Sequence, residues 1–168
     1  MWLLRHAKSS WYDPGIEDRD RPLAPRGERA ADRMRDYLIA AEIHPELVLC
    51  SSALRARQTL ERVLSAFEPE LEVRIESSLY TFDEAALLDR LRSIPKGVAS
   101  VMLIGHNPAI QGLAVMLADR GDRLDQLAQK YPTASLAEID VPGDSWRDVG
   151  KTPAELIRFA IPRELDGA

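Results

Sequence analysis

Three short apolar runs, each breaking off into reactive or cationic side chains, constrain this 168-residue chain more than any other feature. Trp2-Leu3-Leu4 ends at Arg5-His6. Leu47-Val48-Leu49 ends at Cys50-Ser51, with Arg55 just beyond, and Val101-Met102-Leu103-Ile104 ends at Gly105-His106. Runs of this length read as buried strands, and each leads toward a segment with helical character. In open α/β sheets, ligands bind outside the carboxyl ends of the strands. If the three strands are parallel neighbours, two histidines and two arginines from distant parts of the chain converge on one crevice.

The intervening pattern fits such a sheet. Over residues 27–42, Ala30, Met34, Tyr37, Leu38 and Ala41 share one helical face. Ser51-Ser52 is the expected N-cap of a second helix running to about Phe67, with Ala56, Leu60, Val63, Leu64 and Phe67 on its apolar side. Residues 73–75 read as a short strand and 83–91 as a helix. Asn107-Pro108 is expected to supply the N-cap and first-turn proline of a helix reaching Leu117. Residues 134–141 and 146–149, joined through Pro142-Gly143-Asp144, read as a hairpin, and 156–161 suits strand or helix. Residues 9–21 form a long polar loop with Asp13-Pro14-Gly15 as a turn, and loops of that length are often functional. The alternation predicts one α/β domain over residues 1–168. The expected architecture is a three-layer sandwich whose mostly parallel, mixed central sheet has helices on both faces and an antiparallel edge.

Composition narrows the function. Hydrophobic residues make up 45% and charged residues 29%, with a formal net charge of −5. An acidic surface argues against general nucleic-acid binding, because neutralising phosphates needs a basic face. No charged leader followed by an apolar core opens the chain, and no apolar run reaches the ~18–20 residues of a membrane span. Cytoplasm is therefore the expected location. Cys50 is the sole cysteine, so an intrachain disulfide is excluded.

Arg55 falls in the first turn of its helix, where the positive end of the helix dipole disfavours a cation unless an anion is bound. The start of the Asn107-capped helix favours an anion beside His106 in the same way. Phosphoryl transfer is mostly positioning and charge neutralisation, and planar guanidinium forks suit phosphoryl oxygens. A neutral imidazole can attack phosphorus without a separate base. One histidine is thus a candidate nucleophile and the other a hydrogen-bond donor. Singly, each residue has an ordinary reading, as a charged strand end, a surface arginine or a histidine beside a cap. Their joint occurrence at equivalent strand ends outweighs those readings. Arg57, about 200° around the helix from Arg55, reads as solvated, and His44 is assigned no function. Cys50 is not a phosphatase nucleophile: Arg55 lies one residue too close and Arg57 one too far for that loop, which also lacks glycine. It reads as a buried structural thiol. A zinc site from His6, His106 and Cys50 or a carboxylate lacks the local spacing of common zinc motifs, and the arginines would repel the metal.

The residues also resemble a family. Leu4-Arg5-His6-Ala7-Lys8-Ser9-Ser10-Trp11, followed by Asp20-Arg21-Pro22-Leu23 and Arg26-Gly27, resembles the opening of SixA-type phosphohistidine phosphatases. These form a small-domain branch of the histidine phosphatase (phosphoglycerate mutase-like) superfamily. Residues 51–59, Ser-Ser-Ala-Leu-Arg-Ala-Arg-Gln-Thr, are similar to its second arginine motif, and Gly105-His106-Asn107-Pro108 to its second histidine motif. The resemblance spans nearly the whole chain. It implies His6 as the phosphorylated nucleophile, with Arg5, Arg55 and His106 holding the phosphoryl group and neither metal nor cofactor required. Lys8 and Asn107 are further candidate phosphate contacts.

Two departures stand out. Ala24 replaces the usual hydroxyl cap before Arg26-Gly27. Residues 77–81 also carry no carboxylate where ester-cleaving members hold a general acid; Glu76, Asp83 and Glu84 flank the gap. Asp18 or Asp20 on the long loop, or Glu76, remain as candidate acids. General acid catalysis is typically worth ~10²–10⁴-fold, and its loss harms alkoxide departure more than cleavage of a labile P–N bond. The expected substrate is therefore phosphohistidine on a phosphorelay or phosphocarrier protein. A small-molecule phosphomonoesterase with a carboxylate acid is the nearest alternative, and a catalytically silent phosphoprotein-binding module the next.

Overall fold

The computed structural model describes residues 1–165; the last three residues of the expected 1–168 domain lie outside the described residues. The three apolar runs form β1 (Trp2–Arg5), β2 (Leu47–Ser51) and β4 (Val101–Gly105), with β3 (Glu72–Glu76) beside β2. Every residue of β2 and β4 is buried, as continuous apolar strands are when helices cover both faces of a sheet. Side chains along each strand alternate between two apolar layers. Leu3, Leu49 and Leu103 pack with α3 (Glu84–Arg92), α4 (Ala109–Leu117) and α5 (Leu124–Gln129). Leu4, Val48, Cys50, Met102 and Ile104 pack with α1 (Pro25–Ala40) and α2 (Leu54–Val63). A register slip of one residue would exchange the two sets, which fixes the strand alignment. Burying one such leucine contributes about 1.5–3 kcal/mol.

The sheet is mixed and seven-stranded, in the order β3-β2-β4-β1-β6-β7-β5, with β5 at Ala118–Arg120, β6 at Leu136–Asp140 and β7 at Ala154–Ala160. β6 pairs antiparallel with both β1 and β7, while the other ladders are parallel. The antiparallel strand is therefore interior, correcting the expectation of an antiparallel edge. The expected hairpin is also re-partnered: Trp146–Asp148 is a 3₁₀ turn, and β7 is the strand that returns along β6. The Trp146 indole donates to Val98 O at 2.6 Å, which holds that turn against the loop before β4 instead of in the ladder.

Two helix starts differ from expectation in ways that shape the site. α2 begins at Leu54 behind Ala53, without a side-chain cap; Ser51 Oγ instead accepts from Ala53 N at 3.3 Å. α4 begins at Ala109 behind Pro108, and the Asn107 amide reaches Gln111 Oε1 at 3.0 Å instead of capping. α1 starts at Pro25 with no side-chain cap at Ala24, and its first turn lies on the chain just after β1. Ala24 N donates to Lys8 O at 2.8 Å, and a Cβ on Gly27 would come within 2.1 Å of that oxygen. Glycine is required there because the helix and the Lys8 backbone touch.

Candidate active site

The carboxyl ends of β1, β4 and β2 lie side by side, with Arg5 paired to Gly105 and Cys50 to Ile104. His6 N donates to Gly105 O at 3.0 Å, so the β1–β4 ladder runs one residue past the strand and sets His6 next to His106. The two rings stand 4.9 Å apart, tilted by 52°. Arg55, in the first turn of α2, is 4% exposed, and its Nε donates to His6 Nε2 at 3.3 Å. Residues 49 positions apart thus meet because parallel strands deliver them to one edge.

The proton of His6 has a defined place. Nδ1 lies 2.7 Å from Ala7 O, and a carbonyl only accepts, so Nδ1 carries the proton and Nε2 the lone pair. Burial above all, then His106 and the two guanidiniums, pushes the pKa of His6 down to about 3. His106 Nε2 lies 2.7 Å from Ser51 Oγ; burial first, then Arg55 and Arg5, lowers its pKa to about 4. Both rings are neutral near pH 7. Arg5 spends Nη1 on Tyr131 O at 2.6 Å, and burial lowers its pKa. Arg5 Nε and His106 Nδ1 are buried and, among the described residues, unpartnered. Leaving such groups unpaired costs about 1–3 kcal/mol each, and an oxyanion would supply the missing acceptor of Arg5 Nε.

Arg5, His6, Lys8, Arg55, His106 and Asn107 line one cavity of about 240 Å³, with Trp11 and Phe82 at its walls. Of the three candidate acids, only Asp18 lines it. Its Oδ2 accepts from Arg55 Nη2 at 2.9 Å and from the Tyr80 hydroxyl at 2.6 Å, and its backbone carbonyl accepts from Arg55 Nη1. The Tyr80 hydrogen bond first, then Arg55, holds this carboxyl at a pKa of about 2, so it is ionised and no ready proton donor. Glu76 is clamped by Arg90 through two 2.7 Å hydrogen bonds that keep its pKa low, and Asp20 is exposed on the loop. Neither reaches the cavity.

Sequence reasoning missed several supports. Thr59 Oγ1 accepts from Ala7 N at 2.9 Å and donates to Arg55 O at 2.7 Å, coupling both reactive segments. Gln58 Oε1 accepts from Leu23 N at 2.8 Å. These contacts explain physically why Gln58-Thr59 follow Arg55. Tyr131, just after α5, is fully buried, anchors its hydroxyl on Leu3 O at 2.6 Å and offers its carbonyl to Arg5. The ring of Tyr80 stands 5.3 Å from that of His106. A lone tyrosine carries no periodicity signal, so only the fold reveals these roles. Cys50 is buried in the layer under α1 and α2, and burial pushes its thiol up to about 12, as suits a structural thiol. Among the described residues, no three His, Cys, Asp or Glu side chains gather to hold a metal, and no helix is long and apolar enough to cross a membrane.

The model of the histidine phosphatase superfamily (branch 1) matches residues 1–83. A structure described as a candidate phosphohistidine phosphatase SixA from Agrobacterium tumefaciens superposes with a TM-score of 0.81 at 31% identity, covering 96% of each chain. The chain belongs to the histidine phosphatase superfamily. An uncharacterized protein from Mycobacterium tuberculosis strain H37Rv is 35% identical over 164 residues, 95% of this chain and 100% of that protein. Phosphohistidine phosphatase SixA from Escherichia coli K12 is 29% identical over 119 residues, 70% of this chain and 73% of that one. Within this histidine phosphatase the family match ends just beyond Tyr80, so it spans β1, the long loop and α2 but not His106. Membership supports phosphatase activity; the placement of His106 beside His6 rests on the β1–β4 ladder.

Proposed function

We propose that this histidine phosphatase hydrolyses phosphohistidine on a protein, such as a phosphorelay or phosphocarrier domain, through a phospho-His6 intermediate. In the first step the Nε2 lone pair of His6 attacks phosphorus and the substrate P–N bond breaks. A phosphoimidazole protonated on its other nitrogen leaves as neutral imidazole, so the enzyme need supply no proton. In the second step water attacks phospho-His6, releasing inorganic phosphate and restoring neutral His6. Arg5, Arg55 and His106 hold the phosphoryl oxygens in both steps, with Lys8 and Asn107 at the cavity wall.

The observation that carries this reading is an unprotonated His6 Nε2 in a cavity whose only carboxylate among the described residues is held ionised. Alkoxide leaving groups need a positioned acid, and imidazole does not. The SixA names of the relatives point the same way. The test compares turnover of a phosphohistidine protein with that of small phosphate esters, together with rapid-quench mapping of acid-labile, base-stable phosphate onto His6. Faster turnover of an ester would overturn the substrate assignment. It would favour a phosphomonoesterase in which Asp18, already in the cavity, becomes the acid.

A further inference from the structure

Ser51 closes β2, is fully buried and has no part in the chemistry described so far. Its Oγ lies 2.7 Å from His106 Nε2 and accepts from Ala53 N at 3.3 Å. A hydroxyl has one proton and two lone pairs. Among the described residues, Ser51 Oγ has no other partner. Two proton arrangements follow. If His106 carried its proton on Nε2, Ser51 would accept twice and its own proton would be buried without an acceptor. The only ring nitrogen left for an anion, Nδ1, would then present a lone pair to it. If Ser51 donates to Nε2, its proton has an acceptor and Nδ1 bears the proton of the ring.

We propose that Ser51 is a positioning residue that fixes the proton of His106 on Nδ1, so that the ring donates a hydrogen bond to the bound phosphoryl group. The assignment rests on the reading of His106 as a phosphoryl ligand. It matters because His106 is neutral: burial first and then the Arg55 guanidinium disfavour its cation, outweighing the pull of Asp18, with Arg5 adding a smaller push in the same direction. A cationic ring would donate from both nitrogens whatever Ser51 did. A neutral ring has one proton, and its location decides whether His106 attracts or repels an oxyanion. The unpartnered state of Nδ1 fits a donor kept for a ligand.

The deciding experiment correlates imidazole nitrogens with ring carbon-bound protons in ¹⁵N-labelled protein near pH 7. With only three histidines, His106 is assigned by difference from a His106→Gln variant. The wild type is expected to show a protonated Nδ1 and a bare Nε2. Ser51→Ala should move the proton wholly or partly to Nε2 and weaken vanadate binding roughly tenfold or more. Ser51→Thr, which keeps the hydroxyl, should restore both readouts, as a purely structural role would not require. Wild-type His106 protonated on Nε2 overturns the proposal; so does a Ser51→Ala protein with unchanged ring and unchanged vanadate affinity. If Ser51→Ala does not fold, the wild-type spectrum decides alone. Neither readout needs turnover, so the phosphohistidine assignment can fail while this one stands.

Discussion

His6 and His106 follow neighbouring parallel strands, are both neutral and both buried, yet the fold gives them opposite hydrogen-bond partners, which is the basis of the opposite tasks proposed for them. A backbone carbonyl claims Nδ1 of His6 and leaves a lone pair at Nε2, beside Arg55. A serine hydroxyl claims Nε2 of His106 and leaves Nδ1 free. The ring is the same; the difference lies in what the next strand or residue offers it. An imidazole becomes nucleophile or donor according to the group that binds its other nitrogen.

The sharpest way to break the comparison is to remove each ring in turn. His6→Ala deletes the proposed nucleophile and should lower kcat by ~10⁴-fold or more, with no trappable phosphoenzyme. His106→Ala deletes one donor and should cost only about 10²–10³-fold, the phosphoenzyme still forming. Equal losses would erase the distinction of roles. Arg55→Lys tests the cation that both histidines share. It keeps the charge but loses the planar fork and the contact with His6 Nε2, and a fall in kcat/KM of about 10²-fold is expected in steady-state assays.

The comparison extends to stability, where the two rings should act alike. Both folded pKa values, about 3 and about 4, lie below the ~6.5 of an unfolded histidine. Above pH 6.5 both states are neutral and neither ring contributes. As pH falls below 6.5 the unfolded chain takes up protons that the folded site refuses, so stability drops until the folded pKa is reached. The slope approaches ~1.4 kcal/mol per pH unit per ring. Urea titrations between pH 7 and 4.5 should show a smaller loss in His6→Asn and His106→Asn than in the wild type. The smallest effect is expected at Asp18, whose carboxylate occupies the fork of Arg55. Asp18→Asn should tighten vanadate inhibition about threefold, because this half-exposed ion pair is worth little. Weaker inhibition would mean that Asp18 orients Arg55 and does not compete with the anion.

Much of the candidate site is legible in the sequence. Arg5, His6, Arg55 and His106, which meet in one cavity, stand where apolar runs stop, a signal that survives because parallel strands with both faces buried must be continuously apolar. Asp18, Asp20 and Glu76 were indistinguishable as candidate acids, since reach and ion pairing are properties of packed side chains. The sequence pattern makes Ser51-Ser52 the expected helix cap because hydroxyls favour caps; in the fold Ser51 meets the imidazole of His106, and Ala53 takes the cap position. The strand partner of β6 differs from the expected hairpin for a related reason. Turn residues at 142–144 signal a reversal, but which strand returns is decided by the partner across the ladder, here β7.

The amino-acid order by itself determined β1, β2 and β4 and the candidate residues at or just beyond their ends, Arg5, His6, Arg55 and His106, because hydrophobic runs and the places where they stop are local properties. Only the tertiary structure decided which group meets each imidazole nitrogen, which carboxylate enters the cavity and where the antiparallel strand lies. Apart from the Ala7 carbonyl beside His6, those outcomes depend on partners 37 or more positions away in the chain, whose distances exist only once the strands have paired.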